Sequence, residues 1–319
     1  MTLEPHSNPV ALADALADAL QTLDNPQVRD LVWAVASPSL LAPQTDWPRN
    51  FELPMSLEDF DRLVSADPVA LQAHLERSET RFLGSYFEAL WAFYLNHDPR
   101  FEVVAKNLQI RDSRRTYGEF DFIVFDHESD QHLQLELAVK FYLGIREVND
   151  YAYTDGEHLW IGPQARDRLD IKVGRAVEHQ LTLHRQEKAR RALAELGVNQ
   201  VTPRLLFRGY LFHPVEKVPV PPYVSSNYSR GRWCRLGEVR QVMNLALPSY
   251  IVPKKRWIAA PYVEDLAGAD EFDAFEAKLI DIVLAENRPH MVVQVDESAA
   301  RRTIYRYFVT PPAWPWREV

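Results

Sequence analysis

The sequence contains a single cysteine, Cys234, among its 319 residues. One cysteine can form neither an intramolecular disulfide nor a multi-cysteine metal site, so disulfide scaffolds and cysteine-based zinc modules are excluded, and a reducing compartment is expected. The chain also lacks any uninterrupted run of about 18 apolar residues. Its first residues, MTLEPHSNPVALADAL, lack the basic and apolar segments of a signal peptide. These absences predict a soluble protein of the cytoplasm with no membrane association.

Several common catalytic motifs are missing as well. The 10 histidines include no HExxH spacing, and the sequence has no GxSxG, P-loop or GxGxxG motif. Zinc-protease, serine-hydrolase and classical nucleotide-fold chemistry are therefore set aside. The composition is 46% hydrophobic, which is enough to bury one large core or two smaller ones.

Charge is distributed unevenly along the chain. The net charge is −9, from 36 Lys and Arg against 45 Asp and Glu, which by itself argues against tight binding of polyanions. Residues 161–260, however, hold 18 basic against 7 acidic side chains, a local charge of +11. This segment is either an ordinary solvated surface or a surface for nucleic acid.

Hydrophobic periodicity predicts helices and strands in an order typical of a mixed fold. Ser56, with Asp59 three residues later, predicts a capped helix start. The predicted helices are 9–23, 26–35, 57–66, 68–77, 79–96, 167–195 and 271–286, and the predicted strands are 101–108, 119–125, 133–143, 204–212, 290–295 and 303–309. This order predicts an α/β fold of the mixed α+β kind, in which a mixed sheet is flanked by helices.

The stretch GEFDFIVFDHESDQHLQLELAVKFYLG, residues 118–144, places charges inside two strand-like runs. With a period of two, Glu119 and Asp121 share one strand face, and Glu136, Ala138 and Lys140 share a face of the next strand. A hairpin would bring Asp121 and Glu136 together beside an ammonium group. Two carboxylates suit Mg²⁺, which keeps several waters and takes phosphate oxygens. The alternative is an acid and lysine ion pair on a solvated sheet face.

These features resemble the core of the PD-(D/E)xK nuclease superfamily: a helix with a glutamate, a strand with an aspartate, a strand with Glu and Lys, then a helix and a strand. The stretches LELAVKFYLG, GPQARDRLDIKVGR and HQLTLH are similar to the family called domain of unknown function 1853. The resemblance implies a restriction-endonuclease-like core over residues 79–213, with an N-terminal helical region over 1–78 and a C-terminal basic and aromatic α+β extension over 214–319 packed on it.

The same resemblance implies that Asp121 is a metal ligand, that Lys140 is the motif lysine, and that Glu136 is the nearest equivalent of the second acid. The superfamily pattern places that acid two residues before the lysine, where this chain has Ala138. Glu136 lies four residues before Lys140, about 13 Å along an extended strand. Either the lysine stem reaches back, or a bulge shortens the distance, or Glu119 supplies the second carboxylate. Otherwise the site is degenerate and the protein binds without cutting.

Two further residues are candidates for this site. Gln180 follows Leu169, Val173 and Ala176 on one helical stripe. It resembles a glutamine that points into the active site of phage-type exonucleases, or it makes a core hydrogen bond. Glu88 is either a helix glutamate of the superfamily type, able to join the metal ligands, or an exposed glutamate, and the exposed interpretation is favoured.

Basic and aromatic residues alternate in RGRWCR and KKRW. Arginine and lysine contact phosphates and tryptophan stacks on bases, so these stretches predict a nucleic-acid surface. Tryptophan in such stretches is also often core. The candidate nucleic-acid-binding residues are Arg230, Arg232, Trp233, Lys254, Lys255 and Arg256.

Together, these observations predict a nuclease that uses Mg²⁺ or Mn²⁺, with Asp121, Glu136, Lys140 and Gln180 as catalytic residues. Its substrate would be nucleic acid, with DNA favoured over RNA. The alternative is a non-catalytic nucleic-acid-binding or interaction protein that keeps a degenerate nuclease fold. Endonuclease or exonuclease action and the oligomeric state are left open.

Overall fold

The computed structural model describes residues 9–42, 53–145, 159–216, 218–259, 271–298 and 302–315. The first eight residues, on which the signal-peptide expectation partly rests, lie outside these ranges. In the described part of the chain the α-helices are α1 Pro9–Thr22, α2 Pro26–Ala36, α3 Leu57–Val64, α4 Pro68–Arg77, α5 Leu83–His97, α6 Leu169–Arg175, α7 Glu187–Glu195, α8 Val239–Val242 and α9 Phe272–Glu286. The strands are β1 Phe101–Arg111, β2 Thr116–Asp126, β3 Gln131–Ile145, β4 Leu159–Ile161, β5 Thr202–His213, β6 Ser229–Arg235, β7 Ser249–Val252, β8 His290–Asp296 and β9 Thr303–Thr310.

The strands form one nine-stranded mixed sheet in the order β1-β2-β3-β5-β6-β9-β8-β7, with β4 paired to β3. β5 and β6, and β6 and β9, are parallel, whereas β1 and β2, β2 and β3, and the pairs of β8 with β7 and β9 are antiparallel. The predicted mixed sheet flanked by helices is therefore confirmed. The chain divides into two compact units, the first comprising Met1–Val139 and Lys172–Arg208, the second Lys140–Ile171 and Gly209–Val319.

The helices α2, α3 and α4 of the first unit begin where the sequence supplies a capping side chain. Ser56 Oγ accepts a hydrogen bond from the Asp59 amide at 3.1 Å, and Asp59 Oδ2 accepts one from the Ser56 amide at 2.8 Å, so the predicted capping box is confirmed. The side chain of Asn25 caps α2 by accepting hydrogen bonds from the amides of Gln27 and Val28, ahead of Pro26 at the first helical position. α2 and α4 pack on α5, and α5 packs on β1.

A buried ion pair holds the β1–β2 hairpin of the first unit. Arg100 donates from Nε and Nη2 to both carboxylate oxygens of Asp126 at 2.8 Å, and from Nη1 to the Pro54 carbonyl at 2.7 Å. Asp126 lies opposite Phe101 in the ladder. A paired and hydrogen-bonded buried charge costs far less than an isolated one, so Arg100 and Asp126 can be buried together at the end of this ladder.

The second unit buries the apolar side chains of α8 and α9 against its strands. Cys234 of β6, Val292 of β8 and Val309 of β9 pack with Leu279 and Val283 of α9 in one cluster. The sequence analysis did not predict β4, β6, β7 or α8, which are three to seven residues long and give little periodicity.

Among the described residues, no helix combines the length and the apolar character that a bilayer crossing requires.

A glycine allows close approach of two strands in the second unit. At Gly209, φ is +155°, and a Cβ placed there would lie 1.9 Å from the carbonyl oxygen of Lys140. That oxygen belongs to the backbone of β3 and cannot rotate away.

We therefore expect Gly209→Ala to lower the free energy of unfolding by about 1–3 kcal/mol, the usual cost of overpacking. Urea denaturation measures this value. Gly84→Ala is the matched control, because a Cβ at Gly84 of α5 meets nothing within 4 Å and alanine favours a helix by up to about 1 kcal/mol. Equal stability of the two variants would contradict the steric argument.

Candidate active site

Asp121 lies where the pairing of β2 with β3 ends. The register runs from Asp126↔Gln131 to Phe122↔Leu135. Beyond this pair, the amide of Leu137 on β3 donates to Oδ2 of Asp121 at 2.8 Å. The Asp121 carboxylate thus takes the place of a backbone acceptor and is held in one orientation by the strand that it faces.

Glu136 is the more deeply buried acid, with 1% of its surface exposed. Two amide side chains donate to its carboxylate: Gln134 Nε2 to Oε1 and Gln180 Nε2 to Oε2, each at 3.1 Å. Because a carboxylate offers about four lone-pair positions, these two bonds leave acceptor capacity on both oxygens. Gln180, a candidate residue of the sequence analysis, thus contacts Glu136 through a direct hydrogen bond.

Gln134 connects this carboxylate to a histidine. Its Nε2 also donates to the Gln180 carbonyl at 2.9 Å, and its Oε1 accepts from His184 Nδ1 at 3.2 Å. An amide oxygen only accepts, so the proton of the His184 ring lies on Nδ1 in this arrangement. Burial and the neighbouring Arg185 lower the pKa of His184 below its ordinary value, which keeps the ring neutral. The sequence analysis identified neither Gln134 nor His184, although Gln134 shares the strand face of Glu136.

A π-helical turn, Ala176–Gln180, presents Gln180 to this network. It follows α6 directly, and the amide of Leu181 donates to the Ala176 carbonyl at 2.9 Å, five residues back. The prediction of one continuous helix over 167–195 is wrong: the chain forms α6, the π-helical turn, a 3₁₀ turn at Leu183–Arg185 and then α7. Leu183 and Leu193, on either side of the break, pack in one cluster with Phe120 of β2.

Electrostatic coupling joins the four acids that the sequence predicts as metal ligands. Burial raises the pKa of Asp121 to about 7, with further increases from Glu88 and Glu119. Burial, followed by the charge of Asp121, raises the pKa of Glu136 well above its ordinary value. Burial also raises the pKa of Glu88, and Glu119 adds to this increase. Glu88 is half-buried, so the exposed interpretation that the sequence favoured is wrong.

The positive charge beside these acids comes from Lys172 on α6. It opposes the rise in pKa of both Asp121 and Glu136. Lys140, the predicted motif lysine, belongs to the second unit, where its Nζ lies 2.6 Å from Oδ2 of Asp167. Nothing in the spacing of the sequence singled out Lys172, because it lies 51 positions after Asp121 in the chain.

The donor set of the site suits a hard divalent cation, because Asp121 and Glu136 supply carboxylate oxygens that retain acceptor capacity. Ala138, at the position of the expected second acid, is buried and offers no ligand. Within the described ranges, no three His, Cys, Asp or Glu side chains form a group arranged to hold a metal ion. A cation here would therefore depend on two carboxylates, with water or phosphate oxygens completing its coordination.

The predicted nucleic-acid-binding residues differ in exposure. Arg230, Arg232, Lys254 and Lys255 are exposed and Arg256 is half-buried.

Trp233, by contrast, is 5% exposed; its Nε1 donates to the Gly144 carbonyl at 2.8 Å, and its ring packs edge-on against Trp314. The expectation that Trp233 stacks on bases is corrected by this burial, because the indole is part of the core of the second unit.

The raised pKa of Asp121 predicts a dependence of stability on pH. The ordinary pKa of aspartate is about 3.9, so between about pH 4 and pH 7 the folded protein retains a proton that the unfolded chain has lost. Asp121 therefore lowers the free energy of unfolding as the pH rises through this range. Asp121→Asn removes the titration, and we expect the variant to gain stability over wild type with rising pH, by up to about 4 kcal/mol at pH 8.

Urea denaturation from pH 4 to pH 8 measures this difference. Asp112→Asn is the control, because hydrogen bonding from Lys188 lowers the pKa of Asp112. Its carboxylate is ionised in both the folded and the unfolded chain above about pH 4, so this variant should be less stable than wild type by an amount that stays constant over the range. Parallel curves for wild type and Asp121→Asn would show that Asp121 does not titrate in this range.

One family of known sequences matches this chain. The family described as "Domain of unknown function (DUF1853)" matches residues 29–310, which include every residue of the site described above. No curated protein and no solved structure matches the chain. The match covers most of the 319 residues, so the chain belongs to the DUF1853 family.

Proposed function

We propose that this protein is a metal-dependent phosphodiester hydrolase that acts on nucleic acid and belongs to the PD-(D/E)xK superfamily. The observation that supports the proposal is the pair of acids Asp121 and Glu136, both with raised pKa values, inside a network of amide donors. Two buried carboxylates that repel each other destabilise a fold, and such arrangements concentrate at functional sites. The order α5, β1, β2, β3, α6, β5, with the short β4 before α6 and the separate α7 after it, also contains the order of elements that the resemblance implies.

In this proposal Asp121 and Glu136 hold Mg²⁺ or Mn²⁺. When bound, the cation polarises a phosphoryl oxygen and lowers the pKa of its water. The Leu137 amide orients Asp121, and Gln134 and Gln180 orient Glu136. Lys172, rather than Lys140, supplies the ammonium charge that stabilises negative charge developing on the phosphate. DNA is the favoured substrate.

We expect Mn²⁺ or Mg²⁺ to support cleavage of at least one form of DNA or RNA by the wild-type chain. Asp121→Asn and Glu136→Gln keep side-chain shape and remove a metal-binding charge, so each should reduce the cleavage rate about a hundredfold or more. A panel of single- and double-stranded DNA and RNA, labelled at one end, measures this rate. Isothermal titration with Mn²⁺ should show saturable uptake by wild type and none by either variant.

The two lysines provide a second test. Lys172→Met removes the ammonium and keeps the apolar stem, so we expect cleavage to fall about tenfold to a hundredfold. It also removes the charge that opposes the rise in pKa of Asp121, so the acidic limb of the pH–rate profile should move to higher pH.

Lys140→Met is the matched control. Its ion pair with Asp167 is partly exposed, so the substitution should cost at most about 1 kcal/mol of stability and leave cleavage intact. Loss of cleavage in Lys140→Met with full activity in Lys172→Met would reverse the two assignments.

A second candidate function is a non-catalytic interaction protein with a degenerate nuclease fold. Ala138 at the position of the expected acid favours it, as does the lack of a three-ligand metal group among the described residues. Absence of both Mn²⁺ uptake and cleavage across the panel would select this function over the hydrolase.

A further inference from the structure

A cavity of about 550 Å³ lies in the second unit, beneath the loop that joins β5 to β6. Valine and proline side chains form most of its wall, among them Val218 and Val224, which are buried. Proline restricts the backbone of this loop, which limits the conformational freedom that would be lost on binding a ligand. The volume falls within the range of about 300–1,000 Å³ that small-molecule sites commonly have.

Two arginines line this cavity from one strand face. Arg230 and Arg232 are two residues apart on β6 and both are exposed. Gly231 lies between them and faces the other way: a Cβ there would lie 2.3 Å from the Phe212 ring, so only glycine allows that ring to pack. The strand therefore presents both guanidinium groups on the side away from Phe212.

Neither guanidinium forms an ion pair with any carboxylate of the described residues. Arg230 lies over the Tyr228 ring, 4.5 Å from its centre, and Tyr228 is held in turn by a 2.9 Å hydrogen bond to His213 Nε2. Arg240 of the same unit contrasts with this pair, because it binds both Asp273 and Glu276. Arg230 and Arg232 thus keep their fork-shaped donors available for an anion, and such donors match phosphate oxygens.

We propose that this cavity binds a nucleotide, with the phosphate on Arg230 and Arg232 and the base against the valine and proline wall. In either of two forms, a free mononucleotide or the phosphorylated end of a strand, the ligand is a phosphate ester that carries an aromatic base. The inference does not depend on the proposed cleavage, because it uses no residue of the site around Asp121 and Glu136.

Isothermal titration of the full chain with thymidine 5′-monophosphate, inorganic phosphate and thymidine tests the proposal. The monophosphate should bind more tightly than either of the others, because it alone uses both parts of the cavity. Arg230→Ala and Arg232→Ala should each weaken its binding about tenfold or more. Arg235→Ala, which removes the same charge from the end of the same strand outside the cavity, should change it less than twofold.

Ser226, an exposed residue of the lining, provides a pair of variants that differ only in charge. Ser226→Asp should weaken binding of the monophosphate about tenfold, whereas Ser226→Asn should preserve it.

A 5′-phosphorylated trithymidylate distinguishes the two sources of the ligand: tighter binding than the monophosphate identifies a strand end, and equal binding identifies the free nucleotide. The proposal is overturned if neither phosphorylated probe binds, if inorganic phosphate binds as tightly as the monophosphate, or if Arg235→Ala weakens binding as much as the Arg230 and Arg232 variants.

Discussion

Glu136 is buried beside Asp121, and the hydrogen bonds and charges around these two acids depend on that burial. Two carboxylates in a region with little water repel each other and each loses hydration, so the fold must supply donors or protons. It supplies the Leu137 amide to Asp121, two glutamine amides to Glu136, and the charge of Lys172 to both. Asp121 nevertheless keeps a pKa of about 7. These donors offset only part of the cost, and acids with pKa values raised in this way cluster at functional sites.

These donors come from segments far apart in the chain, so the acid pair links several elements of the first unit. Gln134 belongs to β3, while Gln180 ends the π-helical turn and Lys172 belongs to α6. Gln134 donates to both Glu136 and the Gln180 carbonyl, which fixes the turn against the strand. Because each hydrogen bond restrains the next side chain, the network holds both carboxylates in one orientation.

In the second unit, the residues of one basic and aromatic stretch differ sharply in solvent exposure. In RGRWCR the tryptophan and cysteine enter the core, whereas Arg230 and Arg232 remain in solvent beside the cavity. Gly231 and Trp233 lie on the face of β6 opposite Arg230 and Arg232, and Gly231 leaves space for Phe212. Cys234 has the same parity as the two arginines and is buried further along the strand, among side chains of α8 and α9. The indole of Trp233 is therefore unavailable for stacking, whereas the two guanidinium groups remain exposed beside the apolar lining of the cavity.

The sequence by itself determined the features that depend on neighbouring residues. The Ser56 and Asp59 capping box, the helices and strands with clear periodicity, the mixed sheet, and the presence of Asp121 and Glu136 on adjacent strands all follow from spacing along the chain. Only the tertiary structure decided which charges meet. Lys140 shares a strand face with Glu136 in the sequence pattern, yet its ammonium binds Asp167, and the charge of Lys172 acts on the acids instead. Packing likewise determined the π-helical turn and the burial of Trp233. It also left Arg230 without a carboxylate partner among the described residues. The physical reason is that hydrophobic periodicity depends only on residues close together in the chain. The partner of a charged side chain depends on which distant segments come within a few ångströms of it when the chain folds.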